Sequence, residues 1–130
     1  MSGNAAQFSV RVYFEDTDFS GHVYHAAYLK FFERARTEWL REKGVQHSEL
    51  IADGLFFVAR RMVIDWLKPA HIDDLVTIET RVARSTGARL TLAQILRRDD
   101  EVLVTAEVEI VMVNKAGRPV RFPKGLIGDQ

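Results

Sequence analysis

The chain of 130 residues contains no cysteine. That removes disulfides, zinc–thiolate centres and thiol nucleophiles, and it suits a reducing compartment. It also lacks an excess of either charge: 18 Lys and Arg balance 18 Asp and Glu, so no strong field marks nucleic acid or an acidic membrane as partner. No apolar run reaches membrane-spanning length, and the start, MSGNAAQFSV, has neither the basic residues nor the apolar core of a signal peptide. Internal repeats, low-complexity tracts and linker-like segments are absent too, so residues 1–130 read as a single domain. The expectation is a soluble, cytoplasmic protein that binds no nucleic acid and does not span a membrane.

What is present centres on residues 13–43, YFEDTDFSGHVYHAAYLKFFERARTEWLREK. An acidic turn holding Glu15, Asp16 and Asp18, then Gly21, His22 and His25, leads into a long amphipathic pattern. Tyr28, Phe31, Phe32, Ala35 and Trp39 recur three or four apart and form one stripe. A helix from Ala26 to Lys43 would be roughly 27 Å long at about 1.5 Å per residue. Gly44 sits where a C-cap glycine would stop it. His47 to Asp53 predict one or two further helical turns before Gly54.

The rest of the chain alternates with the two-residue period of strands. Phe8, Val10, Val12 and Phe14 share one face of a first strand, with Ser9, Arg11, Tyr13 and Glu15 on the other. After Leu55, Phe56, Val58, Met62, Ile64 and Trp66 share a face on which Arg60 intrudes, and Pro69 ends that strand. A strand from about Leu75 to Arg84, a Ser85–Thr86–Gly87 turn, a strand through Leu90, Leu92 and Leu96, and a turn at Asp99–Asp100 follow. Glu101 to Val113 is the clearest strand of all, and Asn114 to Gly117 turn the chain into a tail carrying Pro119 and Pro123. This order predicts an α+β domain: a curved antiparallel sheet of about five strands wrapped around one long helix.

The turn DTDFSGHVYH precedes a helix start, where backbone N–H groups lack intrahelical partners. Those donors and the helix dipole favour a developing negative charge, and a nearby carboxylate would be held ionised, fit for a base or nucleophile. Acyl transfer requires that combination. Asp and Gly are also plain turn formers that cap helices, which is the rival account of the same residues.

Asp16-Thr17-Asp18-x-x-Gly21-x-Val23-Tyr24-His25, followed by Tyr28, Phe32 and Glu33-Arg34-Ala35-Arg36, resembles the hotdog-fold acyl-CoA thioesterases. Within them it is similar to the Tol–Pal-associated, YbgC-type branch of the 4-hydroxybenzoyl-CoA thioesterase family. Lys68-Pro69-Ala70 and Asp73-Asp74 share the likeness, which covers nearly the whole chain. The resemblance implies a hotdog fold and hydrolysis of an acyl- or aroyl-CoA thioester to coenzyme A and a carboxylic acid, with acyl carrier protein as the alternative carrier. It implies Asp18 as the catalytic carboxylate, His25 as the helix-start residue whose backbone N–H polarises the carbonyl, and Gly21 as the residue that lets the loop approach the thioester. Tyr24 belongs to the same helix start. No metal or other cofactor is implied, coenzyme A being part of the substrate, and a homodimer or homotetramer is.

Asp16 reads as a brace for the turn, Glu33 as a helix-surface residue near Arg36 or Thr37, and His22 receives no catalytic role. The phosphates of coenzyme A call for basic residues at the site mouth, for which Arg84, Arg89, Arg118, Arg121 and Lys124 are candidates. Arg60, read on an apolar face, is a candidate to pair with a carboxylate of the loop or of a partner subunit. Two alternatives share the fold: an enoyl-CoA hydratase or dehydratase, and a non-catalytic acyl-CoA-binding module.

Overall fold

The computed structural model describes residues 5–123. Strand β1 (Ala6–Arg11) leads through a single 3-10 turn (Phe14–Asp16) to the long helix α1 (His25–Glu42) and the short helix α2 (His47–Ala52). Strands β2 (Phe56–Trp66), β3 (Leu75–Ser85), β4 (Leu90–Arg98), β5 (Glu101–Val113) and β6 (Pro119–Val120) follow. The strands form one antiparallel sheet in the order β1-β3-β4-β5-β2, and β6 adds two residues beside the end of β5. The expected sheet of about five strands therefore has six. The extra one opens on Pro119, which is tolerable at the first position of a short edge strand because no ladder N–H is needed there.

The helix stripe is buried as the spacing predicts: Tyr28, Phe31, Phe32, Ala35 and Trp39 are each at most 2 % exposed. Against them lie the inward residues of β3, β4 and β5, among them Val76, Ile78, Leu92, Leu96, Val104, Val108 and Ile110. Two polar side chains enter this core. Gln94 donates to Phe32 O and Thr80 Oγ1 (3.0 Å each) and accepts from Arg36 Nη1 at 3.1 Å, so its amide is fully used. The helix ends in a Schellman motif: Gly44, at φ +80°, donates to Arg41 O, and Val45 donates back to Leu40 O.

Two strand readings need correction. The first strand stops at Arg11, and Phe14 is 76 % exposed in the 3-10 turn instead of facing inward. The turn wins because the Asp16 carboxylate accepts the Tyr13 N–H at 2.9 Å and Thr17 Oγ1 donates to Phe14 O at 2.8 Å. In β2 the alternation changes phase. The register against β5 shifts between Ala59 and Arg61, a bulge that gives β2 one extra residue. Phe57 and Ala59 pair with the inward Met112 and Ile110, and Met62 and Ile64 pair with the inward Val108 and Ala106. Phe56 and Val58 consequently face away from Met62 and Ile64. Arg60, at the bulge, stands 3.7 Å from Glu109 on the outer side of the sheet.

Candidate active site

The segment between the 3-10 turn and α1 is a closed loop. Thr17 and Val23 form an antiparallel bridge, Asp18 N–H donates to His22 O at 2.9 Å, and Gly21 N–H donates to Asp18 O at 3.0 Å. The β2–β3 connection clamps it from outside: Val23 donates to Ala70 O, Ile72 donates to Gly21 O (2.9 Å each), and His22 bridges His71. Ala70 is fully buried, and its N–H donates to the Tyr28 hydroxyl at 2.9 Å, fixing this clamp to the first turn of α1. Gly21 adopts φ +83°, a conformation other residues rarely take. An added Cβ would lie 3.7 Å from Ile72, so backbone conformation, and not lack of space, calls for glycine.

Asp18 is exposed at the loop's base, and the hydrogen bonds to its carboxylate all fall on one oxygen. Oδ1 accepts from Ser20 Oγ at 2.6 Å, Ser20 N at 2.8 Å and His22 N at 3.3 Å. The Ser20 hydroxyl first, then the Ser20 amide, hold the carboxyl below the ordinary aspartate range. Asp18 is therefore an anion at neutral pH, with no hydrogen bond to Oδ2 among the described residues. Asp16 is occupied within the 3-10 turn by its bond from Tyr13 N–H.

Tyr24 is the N-cap of α1 and sends no side-chain oxygen to the first-turn N–H groups; the Ala27 N–H donates to Tyr24 O at 3.0 Å, which leaves those of His25 and Ala26 as donors. Its hydroxyl reaches Glu15 O at 3.4 Å instead. His25 opens the helix with its ring stacked on Trp66, centroids 4.3 Å apart and planes at 30°. His25, Val23, Tyr28, Trp66, Leu67, Lys68 and Pro69 line a cavity of about 200 Å³ beside the helix start. Asp18, Gly21, Tyr24 and His25 all belong to this loop and helix start, and of the four His25 alone lines the cavity.

Arg60, Arg84 and Arg89 lie elsewhere. Arg84 follows Leu75, at the loop end of β3, by nine residues, about 30 Å of strand. Arg89 lies across the same far hairpin, and Arg60 is six residues, about 20 Å, from Trp66. All three carry partners on the outer sheet face: Arg84 with Glu107 at 3.1 Å, Arg89 with Glu109 at 2.8 Å, and Arg60 with Glu109. Lys124 lies outside the described residues. Glu33 is eight residues along α1 from His25, about 12 Å away. Among the described residues no three His, Asp or Glu side chains converge as a metal site; His22 faces His71 and His25 faces Trp66.

Residues 12–128 match the family model of the thioesterase-like superfamily. The chain belongs to that superfamily. The acyl-CoA thioesterase YbgC of Haemophilus influenzae is 44% identical over 126 residues, 95% of this chain and 93% of that protein. The acyl-CoA thioester hydrolase YbgC of Escherichia coli O157:H7 is 37% identical over 99% of this chain and 98% of its own. A crystal structure of a probable thioesterase from Bartonella henselae superposes with a TM-score of 0.87 at 49% identity, covering 92% of this chain and 99% of that one. The helix wrapped by a curved antiparallel sheet is the hotdog fold of this superfamily.

Sequence reading of this thioesterase-like domain missed Ser20, the largest single influence on Asp18. The signal was there in Asp-x-Ser, since a serine two residues on from an aspartate readily bonds back to it. It also missed the ion-pair network behind the loop. Arg98 pairs with Asp74 at 2.7 Å and Glu101 at 2.9 Å, and Lys68 pairs with Glu101. Arg98 and Glu101 are three apart across the Asp99–Asp100 turn, but Asp74 and Lys68 come from the β2–β3 connection and no local spacing announces them.

Proposed function

We propose that Asp18 and the start of α1 carry out the hydrolysis of an acyl-CoA thioester, releasing coenzyme A and a carboxylic acid. The observation that supports this is the divided carboxylate of Asp18, in the loop that leads into α1: Oδ1 accepts three hydrogen bonds while Oδ2 has no hydrogen-bond partner among the described residues. As base, Oδ2 takes a proton from water while the water oxygen bonds to the thioester carbon. As nucleophile, it bonds to that carbon itself and water cleaves the resulting anhydride. In either case the carbonyl electrons move onto oxygen, where first-turn N–H groups of α1 stabilise the charge, and the C–S bond then breaks to give the thiolate. His25 N–H is the donor we assign to the oxyanion. Its ring, stacked on Trp66, holds the wall of the adjacent cavity. The chemistry needs no metal or further cofactor.

The working unit we propose is a homodimer or a homotetramer. β2 is an edge of the sheet eleven residues long, with Val58, Val63 and Trp66 exposed along it. An unpaired edge of that length closes by pairing with its own copy across a two-fold axis. Arg60, Arg84 and Arg89 can meet the coenzyme A phosphates only across such a subunit boundary. Among the described residues no helix is long and apolar enough to cross a membrane; we propose the cytoplasm as the place of work on the ground of the coenzyme A thioester, or its acyl carrier protein counterpart, as substrate. Acyl-CoAs from acetyl to palmitoyl, plus benzoyl-CoA, assayed with a thiol reagent, test the reading. Thiol release abolished by Asp18→Asn supports it, and water addition to an enoyl-CoA without thiol release overturns it.

A further inference from the structure

The hydroxyl of Ser20 makes two short contacts, 2.6 Å to Asp18 Oδ1 and 2.6 Å to His22 Nδ1. It has one proton to give. The Asp18 carboxylate is ionised and has none, so the hydroxyl donates to Oδ1 and His22 must donate Nδ1–H to Oγ. The backbone leaves these three side chains little freedom. Ser20 N and His22 N also bond Oδ1, the Thr17–Val23 bridge closes the loop, and the bridge to His71 presses the His22 ring against the His71 ring, centroids 4.8 Å apart. Behind His71, Arg98 Nη1 stands 3.4 Å and Asp74 Oδ2 3.7 Å from its Nδ1, an opposed pair that leaves little net charge facing His22.

We propose that Ser20 and His22 are positioning residues for the hydrolysis: a relay His22 Nδ1–H to Ser20 Oγ–H to Asp18 Oδ1 pins one carboxylate oxygen and turns Oδ2 to the reacting carbon. The proposal rests on Asp18 being the reactive carboxylate. Without the relay the Asp18 side chain keeps its two amide bonds but can rotate, exchanging Oδ1 and Oδ2. Reaction from a misplaced oxygen slows turnover without weakening substrate binding. The relay also fixes the tautomer of His22 as Nδ1–H, the form that an imidazole free in water disfavours.

Long-range 1H–15N NMR at pH 8, above the ordinary imidazole range, reads the tautomer without any turnover, with His22→Asn identifying which of the four histidines is His22. The expected result is Nδ1–H in the wild type and Nε2–H in Ser20→Ala. Kinetically, Ser20→Ala and His22→Ala each lower kcat about 10- to 100-fold, the effect of a misplaced reacting group, with KM within about twofold, the mark of a loss confined to the transition state. Ser20→Thr keeps the hydroxyl, and His22→Asn places an amide N–H near the Nδ1 position, so both recover most of the rate. An Nε2–H signal from wild-type His22 overturns the relay, as does wild-type kcat in Ser20→Ala or failure of both conservative variants to recover. If Asp18→Asn keeps full turnover while the Nδ1–H signal persists in the wild type, the relay stands as structure and the assignment of Asp18 to the chemistry falls.

Discussion

Two glycines in this chain share one backbone conformation and differ in what depends on them. Gly21 has φ +83° and Gly44 has φ +80°. A Cβ at Gly21 would meet nothing nearer than Ile72 Cγ2 at 3.7 Å, and at Gly44 nothing within 4 Å, so neither substitution to alanine produces a clash. Each imposes only the strain of a left-handed L-residue, about 1–2 kcal/mol. For a chain of this length that corresponds to a fall in Tm of about 3–8 °C. Gly44→Ala perturbs only the Schellman end of α1, on the opposite end of the helix from Asp18. Gly21→Ala strains the loop whose N–H closes onto Asp18 O and whose carbonyl receives Ile72. Thermal unfolding by circular dichroism, with kcat measured well below Tm, separates the two effects. Both variants should lose similar stability, while Gly21→Ala alone loses kcat by about tenfold or more, given the sensitivity of such sites to displacement of reacting groups. Equal kcat in the two variants would refute the reasoning that the Gly21 conformation serves the placement of Asp18.

Gln94→Leu keeps the volume of a fully buried side chain but leaves Thr80 Oγ1 and the Arg36 guanidinium without their partner. Denaturant unfolding should show a loss of about 2–4 kcal/mol, the cost of one neutral and one charged group left unpaired. Burial pushes the Asp74 carboxyl up, but the His71 N–H and the Arg98 guanidinium outweigh it and hold it low. Its folded value lies below its unfolded one, so the stabilisation is present above pH ~3.9 and lost as pH falls through the folded value. Asp74→Asn should lower Tm at pH 7 and flatten the acid side of its Tm–pH curve below pH ~4. Light scattering should give at least twice the 14.8 kDa chain mass, and Val63→Lys, placing a charge on the exposed row of β2, should shift the distribution to monomer with loss of activity.

The long helix and the strand order were legible because each rests on one dominant period. The stripe from Tyr28 to Trp39 repeats every three to four residues, and the inward residues of β5 from Val104 to Met112 every two. The parts that sequence misread are those where a single local bond overrides a period. Asp16 ends the inward row at Phe14 by capping a 3-10 turn, and one extra residue at Arg60 reverses the faces of β2. At the site, the carboxylate and helix start were legible from their adjacency in the chain. Ser20 and His22, which set the carboxylate's state, are local to the loop; the residues that pack on the loop and helix start come from elsewhere, Trp66 from the end of β2 and His71 and Ala70 from the β2–β3 connection. The arginines chosen for coenzyme A lie in the turns and strand ends where loops are expected, but the antiparallel sheet alternates its turns between two ends. Sequence alone does not say which end holds Asp18.

The central claim is that the open oxygen of Asp18 performs the hydrolysis, and Asp18→Asn tests it most directly. Asparagine keeps the shape and can still accept the Ser20 amide bond, so fold, oligomeric state and Tm should stay close to wild type. An amide is neither a base nor an anionic nucleophile. Steady-state thiol release from the best acyl-CoA of the panel should therefore fall in kcat by about 10² to 10⁴, while Asp16→Asn changes stability and spares kcat. Wild-type turnover in Asp18→Asn, with activity abolished instead in an Asp16 or Glu33 variant, would contradict the account.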